Sequence, residues 1–353
     1  LESWANCQFA LRSAPGILRG YCAALKSGAD QVQNWPRCAL CVSSMSSSTV
    51  CTLSAGGPGN YEVVGWEGLR QTLQAITDRA LAAAGIAQEQ LAGAGFGIAG
   101  YDWPAEREPT RQAIDSLGLQ APYRLVNDAV LGLLAGASEG WGVVVVAGTS
   151  NNCRGRDRQG REGQTTGCGP WYGEYGGAGE LVAHAVQAVA KAWTQRGPAT
   201  RLSEVFVRRT GAASVEDLLE GLYLQRYHLS AADAPLVFQA AREGDPVAQE
   251  TICWAGRELG SLANGVIRQL DLEAEEFEVV LSGSLYDGGP MLIDAMREAI
   301  HVTAPGARLV RLAAPPVVGG VLLAMEQFDM NPTTLRDRLA ESTNELLQAG
   351  KPE

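Results

Sequence analysis

No run of about 18 apolar residues occurs in this 353-residue chain, which argues against a transmembrane helix. No cationic excess is present either: 28 basic against 39 acidic residues leave a net charge of −11. That balance argues against a nucleic-acid-binding surface and against docking on an anionic membrane. It does not exclude an anionic substrate held by local backbone N–H groups. Histidine is scarce, at three residues, and the one CxxC spacing, Cys38 to Cys41, has no second CxxC or histidine pair to complete a zinc site. The glycine-rich stretch over 166–180 fits neither the GxxxxGK[ST] nor the GxGxxG template, so it predicts neither a P-loop nor a dinucleotide fingerprint there. The start lacks the basic head, apolar run and small-residue cleavage site of a secretory signal. The expectation is a cytoplasmic protein with reduced cysteines.

Apolar residues make up 46% of the chain and charged residues 19%, which suits one large globular domain or two ordinary ones. The first 55 residues stand apart. They hold five of the eight cysteines (Cys7, Cys22, Cys38, Cys41, Cys51) and the Ser-rich "CVSSMSSSTVC", with no helical stripe and no strand alternation. Residues 1–55 are read as weakly structured or outside the fold, as a frame-shifted start would make them. From residue 56 a regular grammar begins. Leu69, Leu73, Ile76, Ala80 and Leu81 predict a helix over 65–85 ending at Gly85. "LAGAGFGIAG" predicts a strand running into a loop, "EREPTRQAIDSLG" a helix, and "YRLVNDAVLGLLAG" a strand passing into a helix. Further helices are expected over 177–194 and 214–224, and from Asp245-Pro246 to about Asp271. Alternating strands and helices predict α/β architecture in two halves facing a cleft, with ligands at the carboxyl ends of strands.

Five stretches could carry chemistry. Asp128, at the end of an apolar strand, either caps a helix or points a carboxylate into the cleft as a general base. Gly148, Thr149 and Ser150, with Asn151 and Asn152 behind them, follow a four-valine run; they form either a plain turn or a concavity of N–H groups for phosphate. "TGCGPWYGEYGGAGE" holds six glycines in fifteen residues, with Glu174 among them, and is either a surface loop or a place of close backbone approach. Gly283-Ser284 closes a strand as a plain connection or as a platform for a ring or phosphate. "GGPGN" is either a turn or a device that presents Asn60 to a hydroxyl.

In order, "GGPGN", "GFGIAG", "VNDAV", "VVVVAGTSNN", "GCGPWYGEYGG", "VVLSGSL" and "PPVVGGVLLAM" resemble the N-acetylglucosamine kinase and BadF/BadG-type ATPase family, of the sugar-kinase/Hsp70/actin superfamily, over residues 56–327. The resemblance implies two RNase-H-like (actin-like ATPase) domains flanking a nucleotide/sugar cleft. It implies ATP and Mg²⁺ as cofactors, and phosphorylation of an amino sugar, N-acetylglucosamine foremost, at its 6-hydroxyl. Asp128 resembles the base, and Gly148, Thr149 and Ser150 the second phosphate loop. Asn60, Asn152, Gly167, Gly169 and Glu174 resemble sugar contacts, and Gly283 and Ser284 the adenosine loop. No residue is expected to ligate a metal. The implied partners are a sugar and ATP, with no nucleic acid or membrane, and a homodimer is compatible. The implied division is an atypical segment over 1–55, a first domain over 56–140 completed by about 316–345, and a second over 141–315.

The chain departs from the family pattern. The family's first phosphate loop, of the form Asp-Gly-Gly-Gly-Thr-Lys-Thr, has no match in 1–55, where "KSGADQV" is the nearest text. The second loop reads Gly-Thr-Ser where Gly-Thr-Gly is usual, Pro170 replaces a Gly-Trp pair, and Glu174 stands where Asp is usual. Two other functions stay open. One is an activator ATPase of a reductase or dehydratase, although no cysteine lies near Asn127-Asp128 to hold its iron–sulfur cluster. The other is a catalytically impaired sugar-binding protein.

Overall fold

The computed structural model describes residues 7–10, 38–44, 49–328 and 335–349. Two five-stranded sheets form the frame. The first is built from β1 (Cys7–Ala10), β2 (Cys38–Ser44), β3 (Thr49–Gly56), β4 (Ala94–Ile98) and β5 (Tyr123–Asn127). The second uses β6 (Gly142–Ala147), β7 (Asn151–Arg156), β8 (Glu162–Gln164), β9 (Phe277–Ser282) and β10 (Ala307–Arg311). Around them run α1 (Tyr61–Ala84), α2 (Arg107–Asp115), α3 (Asp128–Gly136), α4 (Ala178–Trp193), α5 (Leu202–Thr210), α6 (Val215–Tyr223), α7 (Ala234–Arg242), α8 (Pro246–Gln269), α9 (Pro290–His301), α10 (Val317–Met325) and α11 (Arg336–Ala349). This is the α/β architecture expected, and the helix after Asp245-Pro246 starts there because Asp245 caps it through the N–H groups of Val247 and Ala248.

The two sheets share one strand order: β3-β2-β1-β4-β5 matches β8-β7-β6-β9-β10. In the second sheet the central strand β6 runs parallel to β9 and antiparallel to β7. In the first, β1 runs parallel to β2 and antiparallel to β4, so the central strand is reversed. Ala10 therefore pairs with Ala94, and the carboxyl end of β1 lies at the opposite edge from Ile98 and Asn127.

The reading of residues 1–55 as outside the fold is corrected here, since their described strands supply β1, β2 and all but the last residue of β3. Their segments are short and rich in Ser, Thr, Ala and Cys, so they lack the alternation that marks a half-buried strand. The side chains of Cys38 and Cys41 lie outside the described residues. Helix α1 begins at Tyr61, before the predicted residue 65, because Asn60 caps it and a non-helical Gly65 interrupts it.

Each half has its own core. Leu69, Leu73, Ile76, Phe96 and Ile114 fill the first, between α1, α2 and the sheet. Val143, Val145, Leu181, Phe206, Leu259 and Met296 belong to the larger second core. Between them α10, buried along its whole length, packs against α3, β4 and β1. Gly319 allows that approach: a Cβ there would lie 2.0 Å from the Leu131 carbonyl oxygen. Among the described residues no helix is long and apolar enough to cross a membrane.

Candidate active site

Three sequence motifs of the first half converge at the carboxyl ends of β4 and β5. Asn60, 3% exposed, accepts the Glu62 N–H at 3.0 Å and donates Nδ2 to Glu62 Oε2 at 3.0 Å. Its Oδ1 presses on Gly100, where a Cβ would come within 2.8 Å. The next residue, Tyr101, offers its carbonyl to Asn127 Nδ2 at 3.3 Å. Asn127 in turn caps α3, accepting the Ala129 N–H at 3.0 Å. Capping thus falls to Asn127, and Asp128 is the first helical residue beside it. Burial, and then the nearby Asp102 carboxylate, push the half-buried Asp128 carboxyl up to about 7, against the pull of Arg154 and backbone N–H groups. A carboxyl that titrates near neutrality is matched to taking a proton from a hydroxyl and giving it up again.

Two residues that sequence reasoning missed tie this corner to the second half. Arg154 on β7 forms an ion pair with Asp102, in the loop after β4, with side chains 4% and 12% exposed. Asn127 Nδ2 also reaches Asp102 Oδ1, at 3.2 Å. Arg154 is bonded to Gln164 Oε1 as well, and Gln164 Nε2 donates to the Asp102 carbonyl at 3.1 Å. Gly167 sits against the same carboxylate, where a Cβ would lie 2.9 Å from Asp102 Oδ1. The Trp103 indole N–H points at Cys168 Sγ, 3.4 Å away. The 101–103 loop and the 164–168 loop therefore face each other directly. The local signal for Arg154 was slight: it occupies a buried position on a polar ribbon.

The second-half residues assigned to sugar fall into two kinds. Asn152 is half-buried, and its Oδ1 accepts the Thr165 hydroxyl at 3.4 Å. Glu174, 5% exposed, accepts backbone N–H groups from Thr166 at 2.5 Å, Cys168 at 3.1 Å and Gly169 at 3.2 Å. Its carboxylate is occupied in shaping the loop that carries Gly167 and Gly169. Replacing Glu174 with Ala is expected to cost about 3 kcal/mol, because hydrogen bonds to a charged group contribute ~1.5–3 kcal/mol each and here would leave inward-facing N–H groups unmet. Urea unfolding checks this; an unchanged midpoint would mean the loop is held by something else. Trp171 and Tyr172 on this loop are both exposed, so neither packs the loop down.

The residues assigned to nucleotide follow the carboxyl ends of the adjacent parallel strands β6 and β9. The 148–150 segment is a tight turn into β7, closed by the Gly148 N–H on the Ser150 carbonyl at 2.9 Å. The turn is seated on the start of α4, whose Ala178 and Gly179 N–H groups donate to the carbonyls of Gly148 and Thr149 at 2.8 and 3.0 Å. Thr149 and Ser150 remain exposed, and their amides make no hydrogen bond among the described residues. The turn and phosphate readings are therefore compatible. Gly283 abuts the end of β6, where a Cβ would lie 2.2 Å from the Ala147 carbonyl oxygen. Ser284 begins the short helical turn that follows. Asn151, buried at the start of β7, donates to Glu180 Oε2 at 3.3 Å. Among the described residues no cluster of three or more His, Cys, Asp or Glu could hold a metal ion, and Cys153, Cys168 and Cys253 are free thiols.

The family model for the BadF/BadG/BcrA/BcrD ATPase family matches residues 37–324. The match starts inside the segment that the sequence reading set apart, and covers β2 and β3. An N-acetyl-D-glucosamine kinase of Dictyostelium discoideum is 30% identical over 236 residues, 65% of this chain and 74% of that protein. An N-acetylmuramic acid/N-acetylglucosamine kinase of Clostridium acetobutylicum is 25% identical over 275 residues, 77% of this chain and 90% of that protein. A ROK family glucokinase from Streptomyces griseus, solved with glucose and AMPPNP, superposes with a TM-score of 0.50 at 17% identity, covering 91% of this chain and 99% of that one. The last likeness is one of fold.

Proposed function

The chain belongs to the BadF/BadG/BcrA/BcrD ATPase family, and from that premise we propose that it transfers the γ-phosphoryl group of ATP to an amino sugar, N-acetylglucosamine foremost. The observation that carries this reading is Asp128: a carboxyl at the carboxyl end of a strand, relieved of capping by Asn127 and titrating near 7. In the proposed reaction the sugar 6-hydroxyl oxygen attacks the γ-phosphorus, the bond to the β-phosphate oxygen breaks, and ADP leaves. The hydroxyl proton passes to Asp128. Phosphoryl transfer asks mainly for positioning and for stabilisation of charge on the phosphate oxygens. The free amides of Thr149 and Ser150 supply donors for those oxygens, and Gly283 and Ser284 flank the adenosine. Mg²⁺ enters as part of the MgATP substrate. Asn152, Gly167 and Gly169 face the sugar, Asn60 approaches it from the first half, and Glu174 holds the loop in shape.

The names of the two curated relatives support the substrate class. A second reading, sugar binding without turnover, is favoured by one observation. In the second sheet a Gly-Thr turn follows the central strand at the ligand edge, whereas the reversed β1 ends at the far edge of the first sheet. Coupled ADP release, measured with N-acetylglucosamine, glucosamine and glucose, tests both. Release that depends on N-acetylglucosamine is the expected result. Calorimetric sugar binding without release would favour the second reading, and sugar-independent release would favour an activator ATPase.

A further inference from the structure

Asp128 does not stand alone at the end of β5. Its neighbour Asn127 is held by Asp102, and Asp102 is held by Arg154 from the other half of the chain. We infer that Asp102 and Arg154, paired between the loop after β4 and strand β7, fix Asp128 in place and grade its negative charge. The inference rests on Asp128 being the base of the proposed reaction.

The geometry makes the pair a bridge. Asp102 Oδ1 takes Asn127 Nδ2 at 3.2 Å, while Asn127 Oδ1 takes the Ala129 N–H at 3.0 Å, so the asparagine spans from the pair to the first turn of α3. Gln164 closes a ring by bonding both Arg154 and the Asp102 carbonyl. Both side chains of the pair are almost wholly buried, so solvent screens their charges little. Among the described residues Asp102 is the only carboxylate in contact with the Arg154 guanidinium, whose buried Nε has no partner there.

Apart from Asp102 and Arg154, the ionisable groups around Asp128 are paired, uncharged or exposed to solvent. α10, β4 and β6 bring no ionisable side chain to α3. From β7 come Arg154, the buried thiol Cys153, and Arg156, which is paired with Glu326 through two bonds of 2.7 and 2.9 Å. From β9 comes Glu278, which accepts the Ser138 N–H and pairs with Arg308. From β5 comes the exposed Arg124, and from the loop after β4 Glu106, bonded to Tyr61 and to the Asp102 amide. The two charges that act on Asp128 are therefore opposed: Asp102 disfavours its ionisation and Arg154 favours it.

Opposite charges predict opposite shifts, which a merely structural role would not produce. The test is a pH titration of the full chain carrying ¹³Cγ-aspartate, with the Asp128 resonance assigned by its loss in Asp128→Asn. Asp102→Asn keeps an oxygen for Asn127 and removes the charge; the Asp128 midpoint is expected to move to lower pH. Arg154→Met is expected to move it to higher pH, and Arg154→Lys to leave it near the wild-type value. Midpoints that stay fixed, or that move the same way in Asp102→Asn and Arg154→Met, would overturn the inference. If Arg154→Met does not fold, Asp102→Asn and Arg154→Lys decide by the same criteria. The titration needs no turnover, so a chain that phosphorylates no sugar sinks the kinase reading while this measurement still decides the pair. In an active enzyme the acid limb of kcat/KM should follow the same shifts.

Discussion

Asp128→Asn is expected to lower kcat by about 10²–10⁴-fold, the usual contribution of a positioned general base, while leaving the fold intact. The structure separates these effects because Asn127, not Asp128, caps α3. Asn127→Ala should show the complementary result, a stability loss of about 1 kcal/mol from the missing cap. The same carboxyl predicts a pH-dependent stability. In the unfolded chain Asp128 ionises near its ordinary value of 3.8, and in the folded chain at about 7. Below the lower value both states are protonated and the folded state bears no penalty. As pH rises through this window the unfolded chain releases its proton first, so stability falls, and above about 7 the full cost of holding a half-buried carboxylate beside Asp102 is present. That cost is roughly 4 kcal/mol at most, taking ~1.4 kcal/mol per unit. Asp128→Asn should therefore be more stable than the wild type at pH 8 and close to it at pH 4, by denaturant midpoint. A variant that is less stable at pH 8 would show that the carboxylate stabilises the fold.

Much of the frame was legible in the sequence because its signals are local. Helix starts at Asp245-Pro246, and the αL stop at Gly85, are written in one or two residues. The Gly-rich stretches after the apolar runs marked the loops that follow β4, β6 and β9. What was not legible depends on partners far along the chain. β1 pairs with residues 94–97, and its four residues carry no periodicity that could announce this. Arg154 and Asp102 are 52 positions apart, and neither sits in a pattern that demands the other. Adjacent Asn127 and Asp128 both suit a helix cap, and only the backbone shows which one takes it. Glu174 resembled a sugar contact only through the order of the family's motifs; that the backbone around it turns three amides onto its carboxylate depends on the folded loop and had no sequence signal.

Gly283→Ala should weaken nucleotide binding about tenfold or more, equivalent to ~1.4 kcal/mol, and leave sugar affinity unchanged. Gly283 has φ 112° and ψ 158°, a conformation that costs a residue with a side chain ~1–3 kcal/mol. Its missing Cβ would also lie 2.2 Å from the oxygen and 2.6 Å from the carbon of the Ala147 carbonyl, backbone atoms that cannot rotate away. Nor can the loop retreat: Arg311 clamps it, donating to the carbonyls of Leu281 and Gly283 at 3.1 and 3.0 Å and to Asp287 at 2.7 Å. The strain must then be relieved at the end of β6, next to Gly148 and the exposed amides of Thr149 and Ser150. The proposed sugar side has anchors of its own, since Asn152 is bonded to Thr165 and Gly169 to Glu174. Calorimetry with a non-hydrolysable ATP analogue and, separately, with N-acetylglucosamine resolves the two sites, with a thermal melt to quantify the strain. A fall in sugar affinity with nucleotide affinity retained would remove this loop from the nucleotide site.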